Sequence, residues 1–436
     1  MASKPIIGFA GLGAMGGGMA TNLVKEGFTV YGFDVYQPLV DKFVEAGGKP
    51  AKTPKEAASQ ADFFVSMVAN GAQNSSLLFE GDDAVVRGLG KGKTFILCST
   101  TPTTFPQEIR TRLDKESNRS DVKFLDCPVS GGTIRAANGT LSIFSSGPDA
   151  DLDAAKDVLE CMSGNLYRMG DITNGTKTKT IHQLLAATNI ISASEAMGLA
   201  ATVGLNTKAV MDQVNGSDAA SFMFENRAPH MINDDWSALS ALGIILKDTT
   251  IVTDAAREAQ FPSPLANTAH FTYLQGVHAG LLKEDDAKLV QLYIPKSQGD
   301  LVAQMSKADV KMTASHKVSK DTIVDLLAGI HLAASVEGMA FCKALGQDRK
   351  IMYEIISKAA GWNAMFTKCM PAMLEKDEWT LAECAEAPEV AKKLSEAVER
   401  CRAIQYPCPM ASAALQQFAF AALASKTVKN TSRDSR

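Results

Sequence analysis

The sequence has no CxxC pair, and its six histidines and eight cysteines fall at no metal-site spacing. A metal centre and a disulfide framework are therefore not expected, and the dispersed thiols read as reduced cysteines of a cytoplasmic protein. No apolar run reaches the roughly 18 residues of a membrane span. The richest stretch, residues 184–205, is interrupted by Asn189, Glu195 and several hydroxyl side chains. The opening MASKPIIGFAG shows no charged-then-apolar leader. Positive charge is not in excess either: 44 basic against 48 acidic residues leave a formal −4. That balance argues against nucleic acid or an anionic membrane as partner. What remains is a 436-residue chain, 46% hydrophobic, long enough for about three domains.

The first third alternates short apolar strands with helical segments. Strands are expected at 5–10, 29–34, 61–68, 94–98 and 122–126, with a helix over 19–26. Such alternation implies βαβ units on a parallel sheet, because each crossover needs a helix to return the chain. Gly11-Leu12-Gly13-Ala14-Met15-Gly16 directly follows the first strand and opens a helix. Gly11 permits a tight turn, Gly13 lets the backbone approach a pyrophosphate, and Gly16 allows close helix–strand packing. The helix N-terminus offers its free N–H groups to the phosphates. Asp34 closes the second strand, where a carboxylate accepts from both ribose hydroxyls and repels a 2′-phosphate. Val35, Tyr36 and Gln37 follow, with no arginine, so NAD is favoured over NADP.

Beyond about residue 175 the texture becomes helical, with a long segment over 178–203. Residues 181–231 align without a gap to residues 323–373 at a constant shift of 142, with twelve identities. Leu184/Leu326, Glu195/Glu337, Gly204/Gly346, Phe224/Phe366 and Pro229/Pro371 are among them. At a shift of 145, Pro262-Ser263-Pro264 also meets Pro407-Cys408-Pro409. A helical unit of this kind, repeated in tandem, is the expected architecture. The expected domains are a doubly wound α/β domain of Rossmann type over 1–174 and two all-α domains over 175–297 and 321–425. A polar linker covers 298–320, and a tail expected to fray covers 426–436.

These residues resemble the β-hydroxyacid dehydrogenases, the family of 3-hydroxyisobutyrate dehydrogenase. IGFAGLGAMGGGMATNLVKEG is similar to the family's opening signature. Asp126-Cys127-Pro128-Val129-Ser130-Gly131-Gly132 is similar to its substrate signature, and residues 175–179 to its catalytic signature. Lys247-Asp248 and residues 284–293 complete the likeness over residues 5 to 297. Two departures stand out. His182-Gln183 replaces the usual Asn-Asn, and KTIHQLLA resembles the L-threonate dehydrogenase branch. Thr173 stands where the catalytic motif has its first glycine, which leaves the loop shape open. The duplicated helical domain resembles that of 6-phosphogluconate dehydrogenase.

The resemblance implies hydride transfer between NAD and a small hydroxy acid, with Lys179 as general acid and base. Oxidation at C2 of a four-carbon sugar acid such as L-threonate is the leading reading. 3-Hydroxyisobutyrate oxidation, semialdehyde reduction and an inactive NAD-binding scaffold are its rivals. A lysine buried near a nicotinamide ring is expected to release its proton near neutral pH. Lys179, His182 and Gln183 are spaced i, i+3 and i+4 and so share one helix face. His182 is either a hydrogen-bonded core histidine or a donor to the substrate's hydroxyls, with Gln183 beside it. Ser130, Gly131 and Gly132 form a turn able to hold a carboxylate. Ser99 and Thr100 are placed by the resemblance near the nicotinamide ribose. Lys247 and Asp248 are either a pair at the substrate and cofactor or a helix-surface pair.

Shifting Lys179, His182 and Gln183 by 142 lands on Asp321, Val324 and Asp325. The second copy is therefore expected to be noncatalytic. The chain is either a homodimer or a monomer in which residues 323–420 and 181–290 form an internal pseudo-dimer.

Overall fold

The computed structural model describes residues 4–237, 240–307, 318–377 and 379–434, with only the backbone over 425–434. It divides after Thr180 into two compact units.

The first unit carries a parallel sheet in the order β3-β2-β1-β4-β5-β6. Its strands are β1 Ile6–Ala10, β2 Thr29–Phe33, β3 Lys49–Pro50, β4 Phe63–Ser66, β5 Thr94–Leu97 and β6 Lys123–Asp126. The apolar runs read from the sequence are β1, β2, β4, β5 and β6; β3, two exposed residues, was not expected. β4 and β5 are buried along their whole length, as parallel strands covered on both faces must be. Phe64, Phe95 and Phe124 sit in register on β4, β5 and β6 and stack with ring centroids 5.8 and 6.2 Å apart. The strand order reverses between β1 and β4, the place where doubly wound sheets bind ligands. A second, three-stranded sheet of β7 Val129–Ser130, β8 Leu141–Ser145 and β9 Ser163–Arg168 follows. No signal used above anticipated that sheet.

The helix Asn174–Thr202 begins in the first unit and continues into the second. It and Lys320–Ala344 are long and apolar enough to cross a membrane, but the apolar windows are 100% and 78% buried within the protein. They are core helices.

In the second unit the two copies match helix for helix. After the long helix, Thr207–Asn215, Phe222–Asn233, Leu242–Glu258 and Pro264–His278 make up the first copy. Lys320–Ala344, Arg349–Ile356, Ala364–Lys376, Ala387–Ala403 and Pro409–Asp434 make up the second. Equivalent side chains even cap equivalent helices: Ser221 accepts from Phe224 N and Asn363 from Phe366 N. Helix Leu301–Lys307 lies within the expected linker, of which residues 308–317 fall outside those described. The backbone stays helical to Asp434, so the expected fraying from 426 is not seen there, and 435–436 lie outside the described residues.

The copies meet through reciprocal contacts. Phe222 N donates to Trp362 O and Ala364 N to Ala220 O, around the bridge between equivalent residues Ser221 and Asn363. Glu195 accepts from Met410 N and Ala411 N at 2.9 and 3.1 Å; Glu337 accepts from Leu265 N and Ala266 N at 3.0 and 2.9 Å. Each carboxyl thus caps the last helix of the other copy. Contacts that exchange in this way define an approximate two-fold axis, here within one chain.

Candidate active site

β1 delivers the glycine loop to the switch point of the sheet. Gly11 has φ +90°, and a Cβ there would lie 2.5 Å from Met67 O; at Gly16 it would lie 1.8 Å from Gly11 O. Both positions are closed to any side chain. A Cβ at Gly13 would meet no protein atom within 4 Å, so the backbone there faces open space. Helix Gly16–Lys25 starts directly behind with no side-chain cap. Asp34 accepts from Leu12 N at 2.7 Å and Tyr36 N at 2.9 Å, tying the loop to the end of β2. Each carboxylate oxygen keeps a further lone pair for a hydroxyl. A dinucleotide fits this loop: closed where the protein packs, open where a pyrophosphate would approach, and acidic at the ribose end.

Ser99, fully buried just past β5, donates its hydroxyl to Val68 O at 2.7 Å, and Thr100 follows it. Ser130 ends β7 and is buried. Gly131 and Gly132 then take φ +139° and +72°, and Gly132–Ala137 forms a short helix. Asn22 Nδ2 donates to Ala136 O at 2.7 Å, and a Cβ on Gly18 would come within 2.8 Å of Ala136 C. The Ser130-Gly131-Gly132 turn is thereby pinned beside the helix that follows the glycine loop.

The start of the Lys179 helix is built with the same economy. Thr173 adopts φ +85°, a strained conformation for a β-branched residue, and so takes the shape of the missing glycine. A Cβ on Gly175 would lie 2.3 Å from Phe144 O. Gly175 N donates to Ser146 Oγ at 3.0 Å, and Thr176 donates to Asp126 through N at 2.9 Å and Oγ1 at 2.7 Å. Burial pushes the Asp126 carboxyl up to about 6, against the Thr176 and Ser146 hydrogen bonds that favour its ionised form. Asp126 and Ser146 hold the first turn of this helix, and spacing did not single them out. Lys179 follows Thr176 by one turn and is only 6% exposed.

His182 and Gln183 continue the same helix into the second unit. Gln183 Nε2 donates to Asp248 Oδ2 at 2.5 Å, and Lys247 Nζ lies 3.0 Å from Asp248 Oδ1. Oδ1 accepts no hydrogen bond, so the ion pair is its contact. Asp248 is buried, so the two residues are not a solvated surface pair. His182 Nδ1 lies 3.0 Å from Gln183 Oε1, and Gly361 N donates to His182 Nε2 at 3.2 Å. Both ring nitrogens are engaged within the unit. The arrangement is that of the hydrogen-bonded core histidine, not of a ring offering two nitrogens to substrate hydroxyls. Elsewhere among the described residues, Cys369, Cys384 and Glu386 bring potential ligand atoms within 4.8 Å of one another in the second copy. Cys384 Sγ donates to Glu386 Oε2 at 3.3 Å there.

A family model described as the NAD binding domain of 6-phosphogluconate dehydrogenase matches residues 6–170. Another, NAD-binding of NADP-dependent 3-hydroxyisobutyrate dehydrogenase, matches twice, over 173–293 and 320–433. The chain belongs to the β-hydroxyacid dehydrogenase family. L-threonate dehydrogenase of Cupriavidus necator is 38% identical over 66% of this chain and 95% of its own length. Mitochondrial 3-hydroxyisobutyrate dehydrogenase of Mus musculus is 30% identical over 67% and 88%. The crystal structure of a 3-hydroxyisobutyrate dehydrogenase from Salmonella typhimurium superposes with TM-score 0.62 at 34% identity, covering 66% of this chain and all of that one. Plasmodium falciparum 6-phosphogluconate dehydrogenase covers 95% of this chain and 92% of its own, with TM-score 0.70 at 17% identity, a likeness of fold alone. The chain is thus a hydroxyacid dehydrogenase using a nicotinamide dinucleotide, in which the helical domain occurs twice.

Proposed function

We propose that the chain oxidises a four-carbon sugar acid, L-threonate or a close relative, at C2 with NAD as acceptor, in the cytoplasm. The observation that carries the substrate is the KTIHQLLA segment, with 33–38% identity to five L-threonate dehydrogenases against 30–31% to the 3-hydroxyisobutyrate enzymes. When bound, the nicotinamide accepts the hydride. Lys179 takes the hydroxyl proton and, as ammonium, steadies the developing oxyanion. Asp126 and Ser146 hold the first turn of its helix so that the amine is aimed before substrate arrives. The turn at Ser130, Gly131 and Gly132 binds the carboxylate through its amides and hydroxyl. Asp34 selects NAD by repelling a 2′-phosphate. The internal pseudo-two-fold covers the face that a single-copy helical domain would leave open, which supports a monomer in solution.

The test is NAD⁺ reduction against L-threonate, D-erythronate, 3-hydroxyisobutyrate and glycerate, with NADP⁺ as the alternative acceptor. Turnover confined to the sugar acids with NAD⁺ is expected. Turnover of 3-hydroxyisobutyrate in their place would discard the substrate and keep the lysine chemistry. Silence on every acid, with NAD still bound, would favour the inactive scaffold.

A further inference from the structure

Asp248, when ionised, can only accept hydrogen bonds, so the amide of Gln183 must turn its NH₂ towards it. The carbonyl end, Oε1, then faces His182, and an oxygen there requires a proton on Nδ1. At the far end the Gly361 backbone N–H can only donate, and it needs a lone pair on Nε2. A peptide amide at one end and a carboxylate at the other leave a single consistent pattern. The row runs from Gly361 N–H through His182 and Gln183 to Asp248, which faces Lys247. A proton on Nε2 would set two donors against each other.

Gly361 is itself fixed against the same helix. Asn189 Nδ2 donates to its carbonyl at 3.3 Å, and a Cβ at 361 would lie 3.3 Å from His182 O and from Leu185 Cβ. The residue belongs to the second copy, just ahead of Trp362 and Asn363 at the pseudo-two-fold axis. The relatives matched over two thirds of this chain align to a length that holds only one copy.

We propose that the second copy is a positioning element for the reaction: the Gly361 amide locks His182 as its Nδ1–H tautomer and thereby fixes which atoms Gln183 and Asp248 present. The role rests on the reading of Lys179, Gln183 and Asp248 as reaction machinery. It assigns to the second copy a task that its own helix, with Val324 and Asp325 at the matching positions, does not reveal.

The test uses the full-length protein labelled with ¹⁵N-histidine. One ring, identified by its loss in His182→Val, is expected to show a protonated Nδ1 and a bare Nε2 throughout the pH range of stability. Gly361→Ala keeps the amide and should keep this signature; Gly361→Pro removes the amide hydrogen and should lose it. Gly361→Pro should also lower kcat by between about tenfold and a hundredfold, the scale of small misplacements in active sites, with the KM for NAD⁺ unchanged. His182→Val should cost a similar factor, and the double variant no more than either alone, because both break one row. Losses that multiply, or an unchanged ring spectrum in Gly361→Pro, would overturn the proposal. Should that variant not fold, the wild-type spectrum decides: an Nε2-protonated or titrating ring refutes the lock. Rates are read on whichever acid the enzyme turns over, so a failure of L-threonate is told apart from a failure of the lock.

Discussion

The two helical copies differ at the proposed reaction face and agree where they brace each other. Lys179, His182 and Gln183 correspond to Asp321, Val324 and Asp325 at the shift of 142, and Asp248 corresponds to Lys393 at the shift of 145. The facing positions change chemistry: Gln183 donates to Asp248 in one copy, whereas in the other burial raises the Asp325 carboxyl and the charge of Lys393 draws it back down. Glu195 and Glu337, the caps Ser221 and Asn363, and the in-helix prolines Pro229 and Pro371 remain in place. The comparison teaches that the contacts between the copies are kept more closely than the proposed reaction face. Residues that cap the neighbouring copy keep their type, while Lys179, His182 and Gln183 have no counterpart of the same type.

The comparison breaks most sharply at Lys179. Lys179→Ala should lower turnover by about 10²- to 10⁴-fold, the range for losing a general acid–base, without loss of NAD binding measured by fluorescence. Exchanging His182-Gln183 for Asn-Asn should lower turnover of the sugar acids and of 3-hydroxyisobutyrate together, because it breaks the row from Gly361 to Asp248; a loss confined to the sugar acids would return His182 to the substrate's hydroxyls. Glu195→Ala and Glu337→Ala should each destabilise the helical unit by about 1–3 kcal/mol in urea melts, since each leaves two helix-start amides unpaired. Glu337 also accepts from Gln417 Nε2 at 2.6 Å, so its loss is expected to be the larger of the two.

A gentler probe is pH. Burial pushes Glu195 up to about 8 and Glu337 up to about 7, against the amide donors that favour the charged form. The folded chain then keeps protons that the unfolded chain releases near the ordinary value of 4.5. Stability from these groups is therefore full below about 4.5 and is lost as pH rises to about 8, which melts across that window will register. The smallest effect is expected from the converse experiment. Installing Lys, His and Gln at Asp321, Val324 and Asp325 should add no turnover, because no dinucleotide loop precedes the second copy.

Five strands of the parallel sheet were legible because each is a short apolar run between turns, and the glycine loop because its order follows from pyrophosphate geometry; β3, the exposed Lys49-Pro50 pair, carries no such run. The repeat was legible because buried positions keep their residue types across the 142-residue shift. β7 to β9 escaped notice: β7 has two residues and β9, SGNLYR, is largely polar and partly exposed. Asp126 lay inside a recognised motif, but its bond to Thr176 spans 50 residues, which local spacing does not encode. The partner of His182 was further out of reach. Gly361 donates through its backbone from 179 residues away, so no side-chain identity advertises it. Thr173 left the loop shape open, and only the structure shows it accepting a glycine conformation.

Hydrogen exchange on the intact chain tests the central claim, that the copies support each other reciprocally, most directly. In Glu195→Ala, the amides of Met410 and Ala411 in the second copy should exchange faster while those of Leu265 and Ala266 stay protected. Glu337→Ala should give the mirror result. Loosening confined to the mutated residue's own copy, or spread evenly over both helix starts, would contradict the account.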